Sequence, residues 1–177
     1  MKNIFLTGAK HSGKTYTGKA LAILSNIEFI DLDELILQET GKTPRQLYLE
    51  SPDVFQKAET EAAVAAAVTL AKINDNRQLG VIAAGGGIID NANAMAVIKE
   101  LDAVIVFLDA ETNTAWERIT QDIEGLPPGL GTMNPQKNHH EIHERRSKTY
   151  RQLADIIIFV EGKSPEEIAA EILDLID

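Results

Sequence analysis

Near the N-terminus, Gly8-Ala9-Lys10-His11-Ser12-Gly13-Lys14-Thr15 matches the pattern G-x-x-x-x-G-K-[S/T]. This spacing suits one chemistry, the cradling of a phosphate chain. A buried strand must deliver the backbone to a sharp turn, and Ile4-Phe5-Leu6 precedes it. Glycines must let amide hydrogens point inward, and a helix must then begin so that its unpaired N–H groups and positive dipole end face the anion. Lys14 would bridge the β- and γ-phosphates, and the Thr15 hydroxyl would ligate Mg²⁺. The residues expected to touch nucleotide here are Gly8, His11, Ser12, Gly13, Lys14, Thr15 and Tyr16. His11 stands where glycine is common and crowds the loop slightly.

Two aspartates follow the next apolar run. Asp31 and Asp33 flank Leu32 after Glu28-Phe29-Ile30. Ligands of open α/β sheets bind at the carboxyl ends of strands. Asp31 is therefore expected to hold Mg²⁺ through water, and Asp33 to accept a hydrogen bond from a substrate hydroxyl or act as base toward it. Alternatively, one of them caps the helix that begins there. Gly85-Gly86-Gly87 follows a third apolar run. Three glycines cost backbone entropy, which makes sense where backbone approaches a ligand or another segment closely; a plain tight turn is the alternative.

These residues need a scaffold. Five apolar runs, over residues 3–7, 28–30, 80–84, 103–107 and 156–159, are mostly continuous rather than alternating, as in a parallel sheet covered on both faces. Helical stretches separate them: 14–24, 33–39, an Ala-rich stretch 58–73 preceded by the cap Ser51-Pro52-Asp53, then 91–101, 112–121 and 141–153. Ser164-Pro165-Glu166-Glu167 opens a last helix expected to run to the C-terminus. The pattern predicts a three-layer α/β/α fold of the P-loop NTPase class. Residues 124–131 are rich in glycine and proline and break the alternation; a lid over about 122–140 is expected.

The whole chain, at 177 residues, fits a single domain, and with no cysteine it has no disulfide, thiolate metal site or cysteine nucleophile. A net charge of −10 disfavours nucleic acid and anionic lipid as partners. The densest basic cluster, Arg145-Arg146-Ser147-Lys148 with Arg151, is short. No apolar run nears the roughly 20 residues that span a bilayer, and nothing at Met1-Lys2-Asn3 reads as a signal peptide. A cytoplasmic monomer acting on a small molecule is the expectation.

The order of these motifs resembles the shikimate kinase family. The phosphate loop, the Asp31-x-Asp33 pair, Phe55-x-x-x-Glu59 and Gly85-Gly86-Gly87 occur in that family's sequence. Arg146-Ser147-Lys148-Thr149-Tyr150 is similar to its Arg-x-Pro-Leu-Tyr segment. Arg118 falls where the family has an arginine beside adenine, and Lys163-Ser164-Pro165 resembles the adenine-side loop. The resemblance implies a nucleoside-monophosphate-kinase-like fold with a five-stranded parallel sheet. It also implies ATP, Mg²⁺ and phosphoryl transfer to shikimate, giving shikimate 3-phosphate on the route to chorismate and the aromatic amino acids. By that resemblance Lys14 and Asp33 are catalytic, Gly85, Gly86 and Gly87 offer backbone to the substrate, Arg146 pairs with its carboxylate, and Arg118 and Lys163 flank the nucleotide. Two positions depart. Gln56 stands at a family arginine that meets the substrate carboxylate, and Leu126 stands where the lid has an arginine for the ATP phosphates. Lys137, His139, His140 and Arg145 are the nearby residues that could reach in instead. The departures leave open a kinase of a less acidic hydroxylated molecule, or a nucleotide-binding protein without turnover.

Overall fold

The computed structural model describes residues 2–75 and 79–176. The element order is β1 (Asn3–Gly8), α1 (Lys14–Ser25), β2 (Glu28–Asp31), α2 (Leu32–Thr40), α3 (Pro44–Glu50), α4 (Pro52–Asp75), β3 (Gly80–Ala83), α5 (Ala92–Lys99), β4 (Ala103–Asp109), α6 (Thr112–Thr120), α7 (Pro135–Leu153), β5 (Ile156–Phe159) and α8 (Pro165–Ile176). Short 3₁₀ turns cover Ile88–Asp90 and Pro128–Leu130. The expected five-stranded parallel sheet is present, in the order β2-β3-β1-β4-β5. The first strand to form in sequence lies at its centre, so the phosphate loop leaves from the middle of the sheet.

Strand side chains alternate between faces. Phe5 and Ile82 enter a core closed by Leu32, Ile36 and the alanine-rich face of α4. Ile4, Leu6 and Val81 enter the opposite core, closed by Leu21 of α1 and Ile168 and Ile172 of α8. Both faces are thus covered, which is why the strands read as unbroken apolar runs. Gly18 lets α1 sit close to the sheet: a Cβ there would lie 2.3 Å from the Phe29 ring.

Three elements differ from the expectation. Helix α3 is additional. Its start carries a capping box, Thr43 with Gln46, and Pro44 in the first turn, so a local signal existed in a stretch too short for a clear apolar period. Helix α4 begins at Pro52 and is continuous through the alanine-rich stretch. Helix α7 begins at Pro135 rather than 141, so the irregular part of the expected 122–140 segment is 121–134, with one 3₁₀ turn inside it. The last helix runs to Ile176; Asp177 lies outside the described residues.

Candidate functional site

The phosphate loop is built as its motif requires. Gly8 and Gly13 have φ of 148° and 96°, and His11 takes the left-handed conformation at 61°. A side chain at Gly8 would meet the Leu108 carbonyl at 2.6 Å, so glycine is needed there for packing as well as for conformation. Gly13 precedes α1 with no side-chain cap, leaving the first amides of the helix unclaimed by a side chain. The Lys14 ammonium is folded onto the loop, donating to the carbonyls of Gly8 (3.0 Å) and Ala9 (2.7 Å). Burial lowers its pKa to about 8, although Asp33 and Asp31 favour the charged form.

Asp31 takes the capping role considered for it and also meets the phosphate loop. Its Oδ1 accepts from the backbone of Asp33 (2.9 Å) and Glu34 (3.4 Å), capping α2, while Oδ2 accepts from the Thr15 hydroxyl at 2.7 Å. The hydroxyl and carboxylate are hard oxygen donors brought together beside the phosphate loop, and this donor set fits Mg²⁺. Among the described residues no group of three or more His, Cys, Asp or Glu forms a metal cage. A magnesium ion here would complete its shell from phosphates and water, as it usually does.

Asp33 sits in the first turn of α2 and lines a cavity of about 730 Å³. Burial raises its pKa to about 6, the Asp31 charge adds to the rise, and Lys14 and Lys10 oppose it. The same cavity is walled by Ala9, Lys10 and Thr15 of the phosphate region, by Gly85, Gly86 and Gly87, and by Arg146 of α7. Phosphate site, candidate base and a guanidinium therefore share one space.

The triple glycine is a weld between segments. A Cβ on Gly86 would lie 2.6 Å from the Lys10 amide nitrogen, one on Gly85 3.1 Å from Asp33 Oδ1, and one on Gly87 3.1 Å from the Arg146 guanidinium. Arg146 donates to Asp90 at 2.8 Å, and Arg145 grips the same carboxylate through two nitrogens at 2.6 and 2.9 Å. Burial would raise the Asp90 pKa, but the two guanidiniums outweigh it and hold the carboxyl below its usual range. Glu59 also lines the cavity; burial pushes it up to about 7, although it accepts a hydrogen bond from Asn91 at 2.9 Å.

Other expected residues lie apart. Gln56 is exposed on α4 and does not line the cavity, whereas its neighbours Phe55 and Glu59 do. Tyr16 is 71% exposed and likewise off the wall. Arg118 reaches the phosphate loop, donating to the His11 carbonyl at 2.9 Å. Lys163 pairs with Glu171 at 2.6 Å. Of the residues considered as replacements for a lid arginine, His139 and Arg145 line the cavity, Arg145 held there by Asp90, whereas Lys137, near Glu141, and His140 do not.

Three residues were missed from the sequence. Asp122 bridges Lys10 (2.6 Å) and His11 (2.9 Å), and the Lys10 hydrogen bond holds its carboxyl well below the usual range. Asp90 gathers the α7 arginines. Arg45 of α3 lines the cavity and donates to the Leu126 carbonyl at 2.8 Å. Only the capping box around Arg45 hinted locally at any of them.

A family model for shikimate kinase matches residues 10–177. The chain belongs to the shikimate kinase family. A shikimate kinase of Thermodesulfovibrio yellowstonii is 33% identical over 98% of this chain and 94% of its own length. One from Persephonella marina is 34% identical, covering 98% of each. The solved structure of a shikimate kinase from Acinetobacter baumannii in complex with shikimate has a TM-score of 0.85 at 28% identity, covering 99% of this chain and 93% of that one. Gln56 and Leu126, the two positions where the sequence departs from the pattern it resembles, do not line the cavity, whereas Arg45 does.

Proposed function

We propose that this shikimate kinase family member transfers the γ-phosphoryl group of ATP to a hydroxyl of shikimate. The supporting observation is the shared cavity, in which the Asp33 carboxylate, its pKa raised to about 6, lies on one wall with the phosphate loop and Arg146. The triphosphate lies along the loop amides, and Lys14 exchanges its bonds to the Gly8 and Ala9 carbonyls for phosphate oxygens. Thr15 and Asp31 would hold Mg²⁺, and the ion when bound would supply charge neutralisation for the phosphates. Asp33 orients the accepting hydroxyl. As that oxygen bonds to the γ-phosphorus, the bond to the β,γ-bridging oxygen breaks, the hydroxyl proton passes to Asp33 and ADP leaves. Segment 121–134 with the first turn of α7 is the lid, and the cytoplasm is the proposed location.

The test is release of ADP in the presence of ATP, Mg²⁺ and shikimate. Shikimate-dependent release supports the reading, and its absence with a folded, nucleotide-binding protein ends it. A second acceptor class is favoured by one observation, the neutral and exposed Gln56: turnover of less acidic hydroxylated molecules in preference to shikimate would select it.

A further inference from the structure

Arg45 is an unusual residue to find without a carboxylate. The chain has 27 acidic against 17 basic residues. Among the described residues, Arg145, Arg146 and Arg151 each find an aspartate, whereas Arg45 and Arg118 make no ion pair; of these two Arg45 alone lines the cavity, and its one hydrogen bond runs from Nη1 to the Leu126 carbonyl. A guanidinium has five N–H donors, so most of its capacity is unspent. Arg45 is partly buried on the wall of the cavity that holds Asp33 and Arg146. Partial burial of a charge without a counter-charge is costly, and a ligand anion removes that cost.

Its position is well defined. The Thr43–Gln46 capping box sets the start of α3, and Leu47 is buried at 3% exposure in the core. Tyr48, three residues on, lines the same cavity and meets the Phe55 ring edge-on at 6.0 Å. Phe55 is the residue before Gln56, so α3 and the start of α4 face one region from adjoining elements.

We propose that Arg45 is a specificity-determining residue, binding the carboxylate of the acceptor from α3 while its Nη1 holds the lid at Leu126. It supplies from a different helix the cation that Gln56 does not. The acid is then gripped between guanidiniums on α3 and α7, and its arrival engages the residue that tethers the lid. The inference rests on the reading of shikimate as acceptor.

Steady-state kinetics on shikimate and on its methyl ester, which lacks the carboxylate, test it with wild type, Arg45→Met and Arg45→Gln. The expected result is a KM for shikimate raised about 10- to 100-fold in both variants, the loss of one charge-assisted hydrogen bond. The KM for ATP stays within about threefold, and kcat/KM on the ester, which reports loss of the Leu126 contact alone, falls far less than on the acid, so the preference for acid over ester collapses. Equal losses on acid and ester would mean that Arg45 serves only the lid, and would overturn the inference. So would unchanged kinetics. Should Arg45→Met fail to fold, the polar Arg45→Gln decides alone by the same criterion. Wild type inactive on shikimate overturns this inference together with the acceptor reading; wild type active with an unaltered acid preference in the variants overturns this inference alone.

Discussion

Asp33 must be ionised to accept a proton, yet it is held where ionisation is expensive. Its pKa of about 6 lies near the working pH, which suits a general base. Activity should therefore rise with pH through about 6, as the carboxylate forms. Asp33→Asn should lower kcat by roughly 10²–10⁴-fold and abolish that limb of the pH–rate profile. A variant that keeps the limb would move the base elsewhere. The same group affects stability. Its folded pKa exceeds the unfolded value of 3.8, so its favourable contribution is complete below that value and is lost as pH rises through about 6. Asp33→Asn should thus be more stable than wild type at pH 8, with the difference gone in strong acid. Urea unfolding at the two extremes measures this; a variant weaker at both would assign the residue a structural bond rather than a strained charge.

At the level of elements, the site is assembled by three chain segments that meet only at the carboxyl ends of β1, β2 and β3. The turn after β3 presses on the phosphate loop so closely that Gly86 has no room for a methyl group against the Lys10 amide. Gly86→Ala must shift one backbone or the other. The expected result is a loss of about 1–3 kcal/mol in stability and a nucleotide dissociation constant raised at least about tenfold, read by calorimetry. Unimpaired nucleotide binding would show that the turn, and not the loop, gives way. Helix α2 is similarly shared, since the Asp31 side chain that caps it also takes the Thr15 hydroxyl. One carboxylate thus ties the start of α2 to the start of α1.

For the molecule as a whole, ligand binding should register as stability. A nucleotide at about 100 times its dissociation constant adds about 2.7 kcal/mol, or roughly 5–10 °C for a chain of this size. Mg²⁺ with ADP should raise the wild-type Tm by that amount. Lys14→Ala should show a much smaller rise and lose turnover by at least about 10³-fold. A full thermal shift with normal turnover would remove Lys14 from the mechanism. The segment between α6 and α7 belongs at this scale as well, because its ties span the chain. Asp122 reaches Lys10 across 112 residues, and Arg45 reaches Leu126 across 81.

That span separates what could be read in the chain from what could not. The phosphate loop was legible because its chemistry is backbone conformation over eight consecutive residues, and each glycine states a local demand. The five strands were legible because burial on both faces leaves unbroken apolar runs, and Asp31 and Asp33 because strand ends mark the ligand side of such a sheet. The sequence by itself thus determined the fold class and the conformation of the phosphate loop. Tertiary structure alone decided that Gly86 abuts Lys10, that Asp90 gathers Arg145 and Arg146, that Gln56 lies outside the cavity and that Arg45 lies on its wall. Those placements depend on contacts between residues far apart in the chain, and neither periodicity nor local propensity carries information about such pairs.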